Sequence, residues 1–330
     1  MRKLILMVLF AGVALGQDRQ QRSVLFHWEN DSLGSIAGQS TDENYTNGLR
    51  LDIGSPGEHA WARHLESLYC GAFGLCGEKD RRLPLVSYGF THQFYTPARI
   101  QLSAPQPRDR QWAGVMYLSG TLELNDGELK QHVFEGRIGI LGQGAGAQYL
   151  QSRWHQFIGY PVQPAGWHNQ LKNEPLINVQ YTYNRRFAFD SNQHADAIVS
   201  PGVTLGTLTT YPSLGATVRI GHQISGFPVK PIGVAAHATE RPSLEFYLMG
   251  GADGRFVVNN ATLDGGFFND GPKVDRKSFV RDLRVGWSIR YESLRITYNL
   301  VMRSPEFSTR RNVNQNFHSL GIGWEPRRWR

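Results

Sequence analysis

Two polar clusters near the N-terminus carry residue types that bind hard cations. One is Glu29-Asn30-Asp31; the other is Thr41-Asp42-Glu43-Asn44-Tyr45-Thr46-Asn47-Gly48. Carboxylate, amide and hydroxyl oxygens gathered across one hairpin suit Ca²⁺. The spacing is not that of an EF-hand loop. Asn and Asp also form hairpin tips with no ligand at all, so sequence chemistry leaves both readings open. His155 is the third element, because a neutral imidazole can take a proton from water near physiological pH. The chain has eleven histidines, so residue type alone does not single this one out. The GXSXG motif is absent, which removes the serine-hydrolase elbow.

The elements that must hold these groups are strands. In residues 44–54, Tyr45, Leu49, Leu51 and Ile53 share one parity and Thr46, Gly48, Arg50 and Asp52 the other. A strand sends two such sets to opposite faces. By the same alternation Asp31 shares a face with His27 and Glu29. About twelve segments of this kind follow, near residues 22–31, 44–54, 84–96, 111–124, 128–141, 175–190, 196–210, 214–225, 242–252, 278–291, 293–303 and 316–325. An even number of long segments, with 8 Trp, 13 Tyr and 17 Phe often near their ends, fits a single-chain outer-membrane barrel with interfacial aromatics. The fold class expected is all-β: a transmembrane antiparallel barrel of about twelve strands. One stretch breaks the pattern. Residues 146–159 lack proline, end in glycine and place Gln148, Gln151, Ser152 and His155 at helical spacing, so a short helix is expected on a loop.

The N-terminus reads as a signal peptide over residues 1–16, with Arg2 and Lys3, an apolar run at 4–15 and small residues Ala14 and Gly16 at the cleavage site. Residues 17–330 then form one barrel domain exported to the bacterial outer membrane. Mean hydropathy is −0.39, a value compatible with a barrel whose faces alternate. Formal charge is +7, and the basic residues are scattered rather than clustered as nucleic-acid binding requires. Cys70 and Cys76 are close enough in sequence for a small-loop disulfide in an exported chain.

The combined pattern resembles the outer-membrane lipid A 3′-O-deacylases, the LpxR family. The resemblance runs through Glu29-Asn30-Asp31, Thr41-Asp42, Tyr45-Thr46-Asn47-Gly48 and Tyr95-Thr96-Pro97. It is strongest at Gly142-x-x-x-Gly146-x-x-x-x-Gln151-x-x-x-His155-x-x-x-Gly159, followed by Gly166-Trp167-x-x-Gln170-Leu171-x-Asn173-Glu174-Pro175. It covers the first half of the mature chain. It implies a twelve-stranded barrel and Ca²⁺-dependent hydrolysis of the 3′-acyloxyacyl ester of lipid A in lipopolysaccharide. It maps the catalytic histidine onto His155 and the metal and substrate-positioning residues onto Asn30, Asp31 and Thr46, with Asp31 and Thr46 as metal ligands. A lysine that relatives carry after the Tyr-Ser/Thr-Pro block is replaced around Gln101 and Leu102. An acidic residue that follows the histidine is replaced around Tyr160-Pro161.

On this reading Asp31 and Thr46 point to the same side of one hairpin, Thr46 on the face of Arg50 and Asp52, and the loop helix brings His155 over. The other readings are a barrel without catalysis, serving as a pore or adhesin, and a relative that has lost activity.

Overall fold

A computed structural model of the chain describes residues 22–31, 42–56, 59–73, 84–228, 242–309 and 315–325. The signal peptide and Cys76, with its expected disulfide to Cys70, lie outside the described residues. Twelve long antiparallel strands follow one another round a barrel: β1 (Ser23–Asn30), β2 (Asn44–Pro56), β3 (Leu85–Thr96), β4 (Ala113–Asp126), β5 (Lys130–Leu141), β6 (Glu174–Ala188), β7 (Ala195–Gly206), β8 (Thr209–His222), β9 (Leu244–Phe256), β10 (Phe279–Tyr291), β11 (Leu294–Arg303) and β12 (Gln315–Trp324). β1 pairs with β12 and closes the ring. Closure satisfies every strand edge, which a bilayer demands. The twelve segments expected from alternation are these twelve strands. A further two-residue strand, Asn259–Asn260, extends the ladder at the start of β8. Among the described residues, no helix is long and apolar enough to cross a membrane.

The two faces separate by parity. Leu118, Ile138, Ile177 and Leu248 point outward and are exposed, as a lipid-facing surface requires. The inward set is charged and buried. Arg50 binds Asp52 and Glu135, at 2.7 and 2.9 Å. Asp196 binds Arg186 and Arg219, both at 2.6 Å. Glu245 joins Arg290 and Arg295, and Arg295 reaches on to Glu325. Asp282 joins Arg255 and Arg303. Each carboxylate is matched by guanidinium groups, the condition for burying charge without a large penalty. A polar cavity of about 290 Å³ remains in the lumen, lined in part by Tyr45, Tyr95, Tyr117, Arg137 and Arg284.

Three helices accompany the barrel: α1 (Ala60–Phe73), α2 (Ala147–Ile158) and the short α3 (Ala261–Asp264). The expected loop helix is α2, within one residue at each end. The sequence reading missed α1. It lies against outward-facing residues: Ala62 packs with Val86 and Leu122, and the Tyr69 ring sits 5.1 Å from that of Phe134.

Candidate functional site

The site forms where α2 lies against the outer wall of the barrel. Gly114 on β4 makes that approach possible. A Cβ there would stand 2.8 Å from Cβ of Ala147 and 3.1 Å from that of Ala145, closer than carbon atoms pack. Gly114 has the parity of outward Leu118, so the helix is outside the barrel. Ala147 packs against Phe94, Trp112 and Trp167. At the other end of the helix, Trp154 meets Trp28 of β1 edge to face at 6.2 Å. Gly159 ends α2 at φ 68°, a left-handed conformation that glycine adopts without strain.

One stripe of α2 is buried: Ala147, Gln151 and His155, spaced four residues apart. Tyr149, Leu150, Trp154, Phe157 and Ile158 are exposed on the remainder. Gln148, Arg153 and Gln156 are exposed among them, so the outer side of the helix is mixed, with apolar residues in the majority.

His155 is fixed through both ring nitrogens. Nδ1 lies 2.7 Å from the carbonyl oxygen of Val162. A carbonyl only accepts, so Nδ1 carries a proton and Nε2 is the atom free to exchange one. Nε2 lies 3.3 Å from Oδ2 of Asp42. Burial works against a charged imidazole here. The Asp42 carboxylate and the Val162 carbonyl outweigh it and hold the His155 pKa above its ordinary value. The ring of Tyr160 stands edge-on, 4.8 Å away. One turn before His155, Gln151 accepts a hydrogen bond from Trp167 Nε1 at 2.8 Å. Its own Nε2 is buried with no partner among the described residues.

The strand side of the site turns on a bulge. The β2–β3 register slips between Tyr45 and Asn47, leaving Thr46 as the extra residue. Tyr45 therefore faces the lumen beside Phe317, not the outer face that simple alternation assigned it. Thr46 is moved the other way. Its hydroxyl lies 2.7 Å from that of Thr96, which alternates with lumenal Tyr95 and so faces outward. The expectation that Thr46 shares the face of Arg50 and Asp52 is thus corrected, because one inserted residue inverts the parity beyond it. Thr96 donates its hydroxyl proton to the Asp42 carbonyl at 3.1 Å. Thr46 must then donate to Thr96, which leaves the Thr46 oxygen lone pairs uncommitted.

Asn30 and Asp31 meet Thr46 across the hairpin. Asn30 Nδ2 donates to the Thr46 carbonyl at 3.0 Å, and the Asp31 backbone N–H reaches the same oxygen at 3.4 Å. Asp31 Oδ2 accepts from the Glu43 backbone N–H at 2.8 Å. Its Oδ1 is buried without a partner among the described residues. Burial, then the charge of Asp42, push the Asp31 pKa well above the ordinary carboxylate range.

The four residues singled out in the sequence, Asn30, Asp31, Thr46 and His155, thus come to one outer rim. Asn30, Asp31 and Thr46 touch one another directly. His155 joins them through Asp42, which binds its ring and whose charge acts on Asp31. Asp42 and Gln151 were not among the proposed site residues. Both lay inside the quoted motifs, and the four-residue spacing of Gln151 and His155 was the available signal.

A family model described as outer membrane protein LpxR matches residues 4–325. The chain belongs to the LpxR family. The structure of LpxR from Salmonella typhimurium superposes with a TM-score of 0.72 at 20% identity, covering 92% of this chain and 99% of that one. The translocator domain of the autotransporter NalP from Neisseria meningitidis aligns over 98% of this chain and 95% of its own, at 7% identity and a TM-score of 0.43. No curated protein sequence matches. The LpxR outer-membrane barrel is therefore the fold of this chain, and the outer membrane its location.

Proposed function

We propose that this LpxR-family chain is a Ca²⁺-dependent lipid A deacylase that hydrolyses the 3′-acyloxyacyl ester of lipopolysaccharide. The observation that carries the reading is the position of His155. It is an oriented imidazole on the wall-facing stripe of a helix whose outer side is mostly apolar. A lipid ester can reach that place from the bilayer without entering the lumen.

Among the described residues, no three His, Cys, Asp or Glu side chains converge on a metal position. A cation here would depend on oxygen donors of mixed type, as Ca²⁺ does. Asp31 fits that role, since its buried Oδ1 lacks a partner and its charge is opposed by burial and by Asp42. The Thr46 hydroxyl, with lone pairs uncommitted, would be the neutral ligand. When bound, Ca²⁺ would polarise the ester carbonyl and stabilise negative charge developing on its oxygen.

The protein groups supply the remaining chemistry. Nε2 of His155 takes a proton from the attacking water while the Val162 carbonyl holds Nδ1–H. Asp42 stabilises the imidazolium that results. The Gln151 amide is a buried donor placed to meet charge on the carbonyl oxygen. Asn30 holds the Thr46 backbone and so the shape of the hairpin. Collapse of the tetrahedral adduct returns the proton to the departing sugar hydroxyl and releases the acyloxyacyl acid. Mass spectrometry of lipid A from cells expressing wild type and His155→Ala, with Ca²⁺ controlled, tests this reading.

A further inference from the structure

The outer wall on the far side of Asn30 from α2 carries two polar groups that the chemistry above does not use. His318 of β12 stands directly across from Asn30 in the β1–β12 ladder, and across from Leu300 on β11. Its chain neighbours Phe317 and Ser319 are buried towards the lumen, so alternation turns His318 outward, as it does Asn30. Tyr298 of β11 shares that face, and its hydroxyl lies 2.6 Å from Nδ1 of His318. Trp287 stacks on the Tyr298 ring at 6.1 Å and limits its movement.

Polar groups on the lipid face of a barrel cost free energy unless they have work there. Directly paired residues of adjacent strands have Cα atoms roughly 5 Å apart. Asn30 pairs with Asn47 on β2 and with His318 on β12, so Asn47, Asn30 and His318 form one polar strip on this wall, with Thr46 beside Asn47 in the chain. Asn30 is the last residue of β1, so the strip lies at the level of the lipid headgroups. The chemistry changes along it. Asp31 and Asp42 gather negative charge at one end, while the His318 end presents no carboxylate in its hydrogen-bonded pair. The Tyr298 hydroxyl can donate to Nδ1 or accept from it; where it donates, the ring proton of His318 sits on Nε2 as a donor. A donor at headgroup level, beside an ester-cleaving centre, matches an anionic group on the same glycolipid.

We propose that His318, oriented by Tyr298, binds a phosphoryl group of the glycolipid substrate and so selects phosphorylated lipid. The assignment rests on the deacylase reading for its substrate. Its test separates the two. Full-length protein in detergent micelles with Ca²⁺ is given lipid A with and without its phosphates. Hydrolysis is read by mass spectrometry and binding by direct titration, for wild type, His318→Phe and Tyr298→Phe. Heat-modifiable mobility confirms that each variant retains the barrel.

The expected result is tighter binding of phosphorylated lipid by wild type, by about ten-fold, as a single hydrogen bond to a charged group supplies. His318→Phe removes that preference by weakening the phosphorylated lipid alone, and Tyr298→Phe reduces it part-way. A preference that survives in His318→Phe, or is absent from wild type, overturns the proposal. Inorganic phosphate that binds wild type as tightly as the lipid does and is lost in His318→Phe assigns the site to a free anion and overturns it as well. Failure of wild type to hydrolyse either lipid counts against the deacylase reading, while the binding comparison still decides the role of His318.

Discussion

The carbonyl oxygen of Val162 lies 2.7 Å from Nδ1 of His155, and that contact decides which nitrogen does chemistry. Nε2 is left facing Asp42 at 3.3 Å. A carboxylate there favours the imidazolium, so the resting histidine holds its proton to higher pH than an exposed one. A general base must be neutral before it acts. Activity should therefore rise with pH through a value above the ordinary histidine 6.5. Asp42→Asn removes a cause of the raised pKa and should move that limb to lower pH. His155→Ala should lower kcat by ~100- to 10,000-fold. A limb at or below 6.5, or one unmoved in Asp42→Asn, would contradict this assignment. Stability runs the opposite way. A raised histidine pKa contributes stability that is present at low pH and is lost as pH climbs through the folded value.

Asp31 should respond to Ca²⁺ and to pH together. Its folded pKa lies above the unfolded one, so the ionised side chain costs stability once pH exceeds the ordinary carboxylate value. Asp31→Asn should raise the Tm of the protein in chelator at neutral pH, by about 1–3 kcal/mol in stability. That gain should shrink in acid, where the wild-type carboxyl is protonated. Added Ca²⁺ should raise the Tm of wild type and leave Asp31→Asn unmoved. An equal Ca²⁺ response in both proteins would exclude Asp31 as a ligand.

Gly114 offers a test of where catalysis takes place. Gly114→Val puts carbon where Ala147 and Ala145 now lie, so α2 must shift off the wall while the β4 ladder persists. The expected outcome is a barrel with normal heat-modifiable mobility and at least a ten-fold loss of deacylation, since ångström displacements of a base are costly. Retained activity would show that α2 is not part of the site.

The lumenal network should govern stability rather than chemistry. Glu245 is fully buried and bound to Arg290 and Arg295. Glu245→Ala leaves two guanidinium groups with one partner fewer, a change worth roughly 3–5 kcal/mol. Its midpoint in denaturant should fall while the kcat of the folded fraction holds. The same cross-linked lumen should give low conductance in planar bilayers, whereas a pore would conduct freely and ignore His155→Ala.

The barrel was legible because strand alternation is a local property. Val86, Tyr88 and Phe90 against Ser87, Gly89 and Thr91 declare two faces without knowledge of any neighbour. The loop helix was legible from the spacing of Gln151 and His155 and the closing Gly159. What escaped was what alternation averages over. A bulge at Thr46 is set by pairing with Phe94 and Tyr95 of β3, far along the chain, and it reversed the assignment of Tyr45 and Thr46. Helix α1 gains its place from Val86 and Leu122 on the outer wall, contacts that its own sequence does not declare. Asp42 joined the site only once the fold set it beside His155. His318 enters the strip only through the pairing of the first and last strands.

The most direct test of the central claim is the mass of lipid A recovered from cells expressing the wild-type chain or His155→Ala, each with Ca²⁺ present or chelated. Loss of the 3′-acyloxyacyl mass in wild type with Ca²⁺ alone is the expected result. Unchanged lipid A beside a correctly folded wild-type barrel, or equal loss in His155→Ala, would contradict it.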